Sequence, residues 1–144
     1  FYKFINGKRH IGKLYNHKNR YNNPRDIEIF RRLPQGGNSL DPCIADIMPY
    51  TRRNGIFKDK YYKLEENKIC KTITSHMKYD CNMYIHPWEA RGLSPREAAR
   101  IQTFPDDYII TGAQNMWYAQ VGNAVPVNLA KEIGIEIKRA LEAL

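Results

Sequence analysis

Cys43, in the run Pro42-Cys43-Ile44-Ala45, is the residue whose type most directly offers covalent chemistry, because a cysteine thiolate is a strong nucleophile. A lone cysteine is more often a small buried apolar side chain, so Cys43 stands as a tempting decoy. Cys70, His76, Cys81 and His86 are all possible zinc ligands. Their order and spacing match no common zinc module, which pairs its ligands closely, and no metal is expected. His86, followed by Pro87, reads more simply as a turn residue. Three cysteines at irregular spacing also argue against a disulfide framework and fit a reducing, cytoplasmic setting. The remaining chemistry is electrostatic. Residues 1–60 hold 13 Lys and Arg against 5 Asp and Glu, whereas residues 61–144 hold 10 of each. The whole excess of +8 therefore sits in the first part of the chain. Neutralising phosphates is the commonest use of such a concentrated basic region, and a solvated surface is the alternative.

These residues need elements to position them. Residues 1–22 interleave basic and aromatic side chains without a helical period and read as loop or short strand. Asn23-Pro24-Arg25-Asp26 is a helix start: Asn caps, Pro suits the first position and Asp favours the positive end of the dipole. Ile27, Phe30 and Leu33 mark its buried stripe, and Pro34 with Gly36-Gly37 ends it. Residues 38–62 are irregular and carry the pair Arg52-Arg53. The β-branched alternation of 69–75, a polar turn around 78–80 and a second alternation over 81–85 predict strand, turn, strand. Thr72 and Thr74 would share one face of the first strand, with Ile69, Lys71 and Ile73 on the other. Ser94-Pro95-Arg96-Glu97 is the sharpest local signal, a capping box opening a helix to about Thr103. A polar loop follows, then a last helix from near Pro126 with Leu129, Ile133, Ile137 and Leu141 in one stripe. That stripe must dock on something, either this chain or another. No stretch is apolar and long enough to span a membrane.

Two longer runs carry a resemblance. The run from Arg91 to Pro105, Arg-Gly-Leu-Ser-Pro-Arg-Glu-Ala-Ala-Arg-Ile-Gln-Thr-Phe-Pro, resembles the ninth conserved motif of cytosine-5 DNA methyltransferases. Tyr118-Ala119-Gln120-Val121-Gly122-Asn123-Ala124-Val125-Pro126 is similar to the tenth and last. They occur in that family's order and at a family-like distance. Ser94 stands where Thr is usual, and Val127 where a second Pro often follows. Upstream, Lys71-Thr72-Ile73-Thr74 before Tyr84-Ile85-His86-Pro87 resembles the end of the family's target-recognition region. His17, Arg20, Asp26, Phe30 and Gly36 resemble scattered positions at its start in many bacterial members. The family's cofactor turn (Phe-x-Gly-x-Gly), its Pro-Cys-Gln nucleophile motif and its Glu-Asn-Val motif are not in these residues. Cys43 also lies after the start of the recognition region, whereas the family's nucleophile precedes it.

The resemblance implies a C-terminal portion of such an enzyme, and the first residues, Phe1-Tyr2-Lys3-Phe4, read as part of something longer. The expected class is α+β: a small strand-containing recognition lobe over 1–90, a bracing helix and loop over 91–112, and motif ten with the terminal helix over 113–144. That terminal helix would belong to a Rossmann-like, S-adenosylmethionine-dependent domain. Thr72, Thr74, Arg20, Arg52 and Arg53 are then candidate DNA contacts, and Arg9, Lys13 and Lys18 lie in the same basic region. Asn123, Ala124 and Val125 are candidates for the cofactor's edge. Arg96, Glu97, Arg100, Gln120 and Gly122 are organisational. Double-stranded DNA and the N-terminal catalytic portion, fused or separate, are the expected partners, and no catalytic residue lies in these 144. The cofactor would bind only with that portion. A non-catalytic DNA-binding module and one subunit of a split methyltransferase are the alternatives; the near-intact run from Gln120 to Pro126 speaks against a plain binder.

Overall fold

Asn23 starts its helix as its type dictates. Its side chain accepts from the Asp26 amide at 2.9 Å, and Pro24 opens α2 (Pro24–Arg32). The computed structural model describes residues 1–49 and 60–143, so Arg52 and Arg53 lie outside the described residues. The buried face of α2 is Ile29, Phe30 and Leu33, while Ile27 is only half-buried. They join Ile44, Tyr61 and Ile85 in one of the two apolar cores among the described residues.

The other core gathers Ile73, Met77, Tyr84, Leu93, Ala98, Ala99, Tyr118 and Val121. Ala98 and Ala99 belong to α3 (Pro95–Ile101), and Tyr118 and Val121 to α4 (Gln114–Asn123). The α4 segment corrects the expected polar loop. Ala113 gives it no side-chain cap and its apolar residues form no clean stripe, so neither usual sequence signal announces it. A short helix, α1 (Tyr2–Asn6), precedes these elements and α5 (Val127–Glu142) follows them.

The strand-turn-strand expected over 69–85 does not form. Among the described residues, β-pairing is limited to isolated bridges joining Asn38 to Tyr62, Lys63 to Ile85 and Ile85 to Gly92. Helices joined by irregular segments therefore replace the expected strand-containing lobe. The physical reason lies in one hydroxyl. Tyr84 Oη donates to the Thr72 carbonyl at 2.8 Å and accepts from the Thr74 amide at 3.1 Å. A side chain thus satisfies groups that a neighbouring strand would otherwise take. Ser75–Lys78 then turns into a 3-10 helix, and Ile69, placed by alternation on the same face as buried Ile73, is fully exposed.

The capping box of α3 is complete. Glu97 N donates to Ser94 Oγ at 3.2 Å, and Ser94 N donates to the Glu97 carboxylate at 2.7 Å. Arg91 adds two parallel hydrogen bonds of 2.8 Å to the same carboxylate. Burial alone would raise Glu97. The Arg91 bonds and the Ser94 amide outweigh it and bring the carboxyl down from 4.5 to about 2.

The stability this ionised carboxylate contributes is complete above about pH 4.5 and is lost as the pH falls from there to about 2. Glu97→Gln is expected to cost about 3 kcal/mol near neutrality. In urea melts at stepped pH, the gap between variant and native protein closes below pH 3. A gap that stays constant with pH would show that Glu97 does not carry this contribution.

Candidate functional site

Thr72 and Thr74 are exposed on either side of buried Ile73, so the alternation expected at these residues holds without a sheet beneath it. Their backbone is fixed twice. Tyr84 holds it from one side through the bonds described above. On the other side, a Cβ placed on Gly122 would meet the Thr74 carbonyl oxygen at 2.5 Å and Ser75 Cα at 3.0 Å. Only glycine lets α4 pass so close. The structure therefore puts Gly122 of one motif against Thr74 of another segment, backbone to backbone.

Arg20 braces the same region. Its terminal nitrogens donate to the carbonyls of Met77, Lys78 and Tyr79 at the end of the 3-10 helix. Its guanidinium carbon lies 4.6 Å from the Tyr118 ring centroid. Arg20 N also donates to Tyr118 Oη, which donates onward to the Leu93 carbonyl at 3.1 Å. Burial pushes the Tyr118 hydroxyl up, so it stays protonated as that chain of bonds requires.

Arg96 is completely buried. Its guanidinium donates to the carbonyls of Tyr15, Pro105 and Tyr108, and its amide to that of Asn16. Burial lowers its proton affinity, yet an arginine so paired keeps its charge. Arg100 pairs with Asp106 at 2.7 Å. Burial would raise Asp106, but Arg100 and the Asn6 amide outweigh this and keep it below its ordinary value. Asn6 is buried too, donating to Asp106 at 2.9 Å and accepting from its amide at 2.8 Å. Thus α1 is tied to the loop that follows α3.

Gln102 and Thr103 join three helices. Gln102 Nε2 donates to the carbonyls of Val121 and Ala124 at the end of α4, and Gln102 O accepts from Val127 N at the start of α5. Thr103 Oγ1 accepts from Asn128 N at 2.9 Å. This junction presents Asn123 and Val125 to solvent, with Ala124 half-buried between them. Gln120 Nε2 reaches the Thr111 carbonyl, and beside it a pocket of about 260 Å³ opens between Phe104, Tyr108, Ile110, Gln120, Val121 and Ala124.

Cys43 keeps its proton. Burial and the hydrogen-bonded Asp41 push its thiol up to about 11, and Sγ donates to the Arg32 carbonyl. His86 is the turn residue expected: its Nδ1 accepts from the amides of Trp88 and Glu89. Among the described residues no group of three His, Cys, Asp or Glu side chains could hold a metal ion.

Residues 4–139 match the sequence profile of C-5 cytosine-specific DNA methylases, and the chain belongs to that family. Among its relatives, a type II methyltransferase of a Psychrobacter species, M.PspPI, is 59% identical over 123 residues, covering 83% of this chain and 30% of the relative. A putative type II methyltransferase of Oceanobacillus iheyensis is 32% identical over 147 residues, covering 84% of this chain and 32% of the relative. The DNA (cytosine-5)-methyltransferase CMT3 of Arabidopsis thaliana is 41% identical over 110 residues, covering 76% of this chain and 13% of the relative. The chain thus spans about a third or less of the curated relatives it matches. No helix among the described residues is long and apolar enough to cross a membrane.

The sequence reading missed Tyr84, Tyr118, Asn6 and Asn16. Asn16 grips the Ile110 amide and carbonyl with one carboxamide, at 2.9 and 2.8 Å. Tyr84 lies in the Tyr84-Ile85-His86-Pro87 run, but nothing local to it tells that its hydroxyl reaches back to Thr72.

Gly122→Ala tests the contact between the two segments. Alanine favours a helix, but here the added carbon overlaps a backbone oxygen, a clash that costs about 1–3 kcal/mol. Loss of stability in chemical denaturation, with Thr72 to Ser75 amides exchanging faster with deuterium, is the expected result. A stabilised protein would mean that the two segments do not pack this closely.

Proposed function

We propose that this chain is the C-terminal portion of a DNA (cytosine-5-)-methyltransferase, which recognises a DNA sequence and completes the lobe that holds S-adenosylmethionine. The observation that carries the reading is α5. Leu129, Ile133, Ile137 and Leu141 are 49–66% exposed, and no residue of the helix is buried. Of the two partners left open for this stripe, the chain's own remainder does not supply one among the described residues. A catalytic portion, fused or separate, fits a helix of this kind, because four Leu and Ile side chains gain by leaving water. The length of the relatives supports it.

In this reading the cofactor supplies the methyl group when bound, and the chain's residues frame the reaction. Asn123 offers an exposed carboxamide that donates and accepts, beside apolar Ala124 and Val125. That set fits one wall of an amphiphilic ligand. Thr72 presents its hydroxyl, and Thr74 a hydroxyl shared with Tyr84 Oη at 3.2 Å, on a backbone held by Tyr84 and Gly122, suited to a sugar-phosphate contact beside a cytosine drawn out of the duplex. Arg20 holds the turn behind them, and Arg96, Glu97 and Arg100 keep α3 in place between the DNA-facing and cofactor-facing segments. Arg52 and Arg53 extend the basic stretch as further candidate phosphate contacts.

The purified chain is expected to bind duplex DNA, losing affinity steeply between about 50 and 200 mM salt as phosphate contacts release counterions. With radiolabelled S-adenosylmethionine it transfers no methyl to DNA, whereas mixing or fusing it with a portion carrying the Pro-Cys-Gln motif restores transfer. Binding indifferent to salt, or transfer by the chain alone, overturns the reading.

A further inference from the structure

A second pocket, of about 230 Å³, opens between the 18–21 segment, the end of the Ser75–Lys78 turn and the start of α4. Arg20, Tyr21, Lys78, Gln114, Asn115 and Tyr118 line it. Its frame is rigid. The Arg20 guanidinium is stacked on Tyr118 and bonded to three carbonyls, and Gln114 Nε2 donates to the carbonyls of Lys18 and Asn19 at 2.8 and 3.0 Å. Carbonyl partners are neutral, so Arg20 still lends the pocket a full positive charge.

Lys78 is exposed and Tyr21 is 83% exposed, although each lines a concave site. Among the described residues no acidic side chain lines it. Two cations beside an open aromatic ring suit an anion that carries a flat or sugar group, which is the chemistry of a nucleotide in a strand. The location agrees. Thr74 caps the start of the 3-10 turn and Lys78 ends it, a separation of about 8 Å at a 3-10 rise of about 2 Å per residue. Charges on one DNA strand recur every ~3.4 Å along the axis, so the pocket lies within a few nucleotides of the threonines.

We propose that this pocket holds a backbone phosphate of duplex DNA flanking the contact made by Thr72 and Thr74, with Lys78 on the phosphate and Tyr21 against the adjoining sugar or base. This rests on the DNA-binding reading above.

The test is binding of a labelled duplex across a salt series by the native protein, Lys78→Gln, Lys78→Arg, Tyr21→Ala and Lys138→Gln, a lysine exposed on α5. Removing one phosphate contact lowers the slope of log affinity against log salt by about 0.9, or about eightfold in affinity at 0.1 M salt. Lys78→Gln is expected to show that loss and Lys78→Arg to restore the native slope. Tyr21→Ala weakens binding at every salt concentration without altering the slope, and Lys138→Gln behaves as native. Side chains so exposed leave folding intact, which thermal melts of each variant check. Salt-dependent native binding with an unchanged Lys78→Gln slope overturns the pocket alone. So does a Lys138→Gln loss equal to that of Lys78→Gln. Native protein that fails to bind DNA overturns the pocket and the functional reading together.

Discussion

The buried guanidinium of Arg96 is the constraint on which the rest depends. A charge with no exposed surface is tolerated only when every donor finds an oxygen, and Arg96 finds carbonyls in two separate stretches. One carbonyl belongs to Tyr15 in the basic N-terminal stretch, and two belong to the loop after α3. Three segments are thereby held in a fixed relation. Asn16, Asn6 and Asp106 repeat the scheme on either side, so polar bonds tie the N-terminal stretch to the loop after α3.

This arrangement explains why two apolar clusters suffice. The α2 core is built on a capped helix, to which Tyr61 and Ile85 come from later in the chain. The core under α3 and α4 draws on residues from 64 to 121, and its parts meet at Gly122 and Tyr84, where backbone and hydroxyl replace side-chain bulk. What reaches solvent above it is a short rigid run of polar side chains.

Legibility in the sequence followed the range of the interaction. Helix starts at Asn23 and Ser94 were readable because a cap involves residues three apart, and both are present with the bonds expected. The alternation of 69–75 was read as a strand because it sets Thr72 and Thr74 on one face and Ile73 on the other, and those three side chains do alternate. The error lay in the partner: Tyr84 satisfies the backbone from outside any sheet, an effect of tertiary placement that alternation does not encode. Helix α4 was missed for want of a cap and a stripe. Arg20 was noticed for its charge, whereas its bonds to the 3-10 carbonyls depend on segments some sixty residues away.

Helix α5 has a consequence for the life of the protein in a cell. Sixteen residues are barely enough for a helix to persist in water by its own propensity, and this one has no buried residue to hold it. Its order is therefore conditional on being covered. In the proposed reading, a catalytic portion packed on this helix would stiffen the edge, and an uncovered helix would present a fraying, leucine- and isoleucine-rich segment of the sort that proteases and chaperones engage.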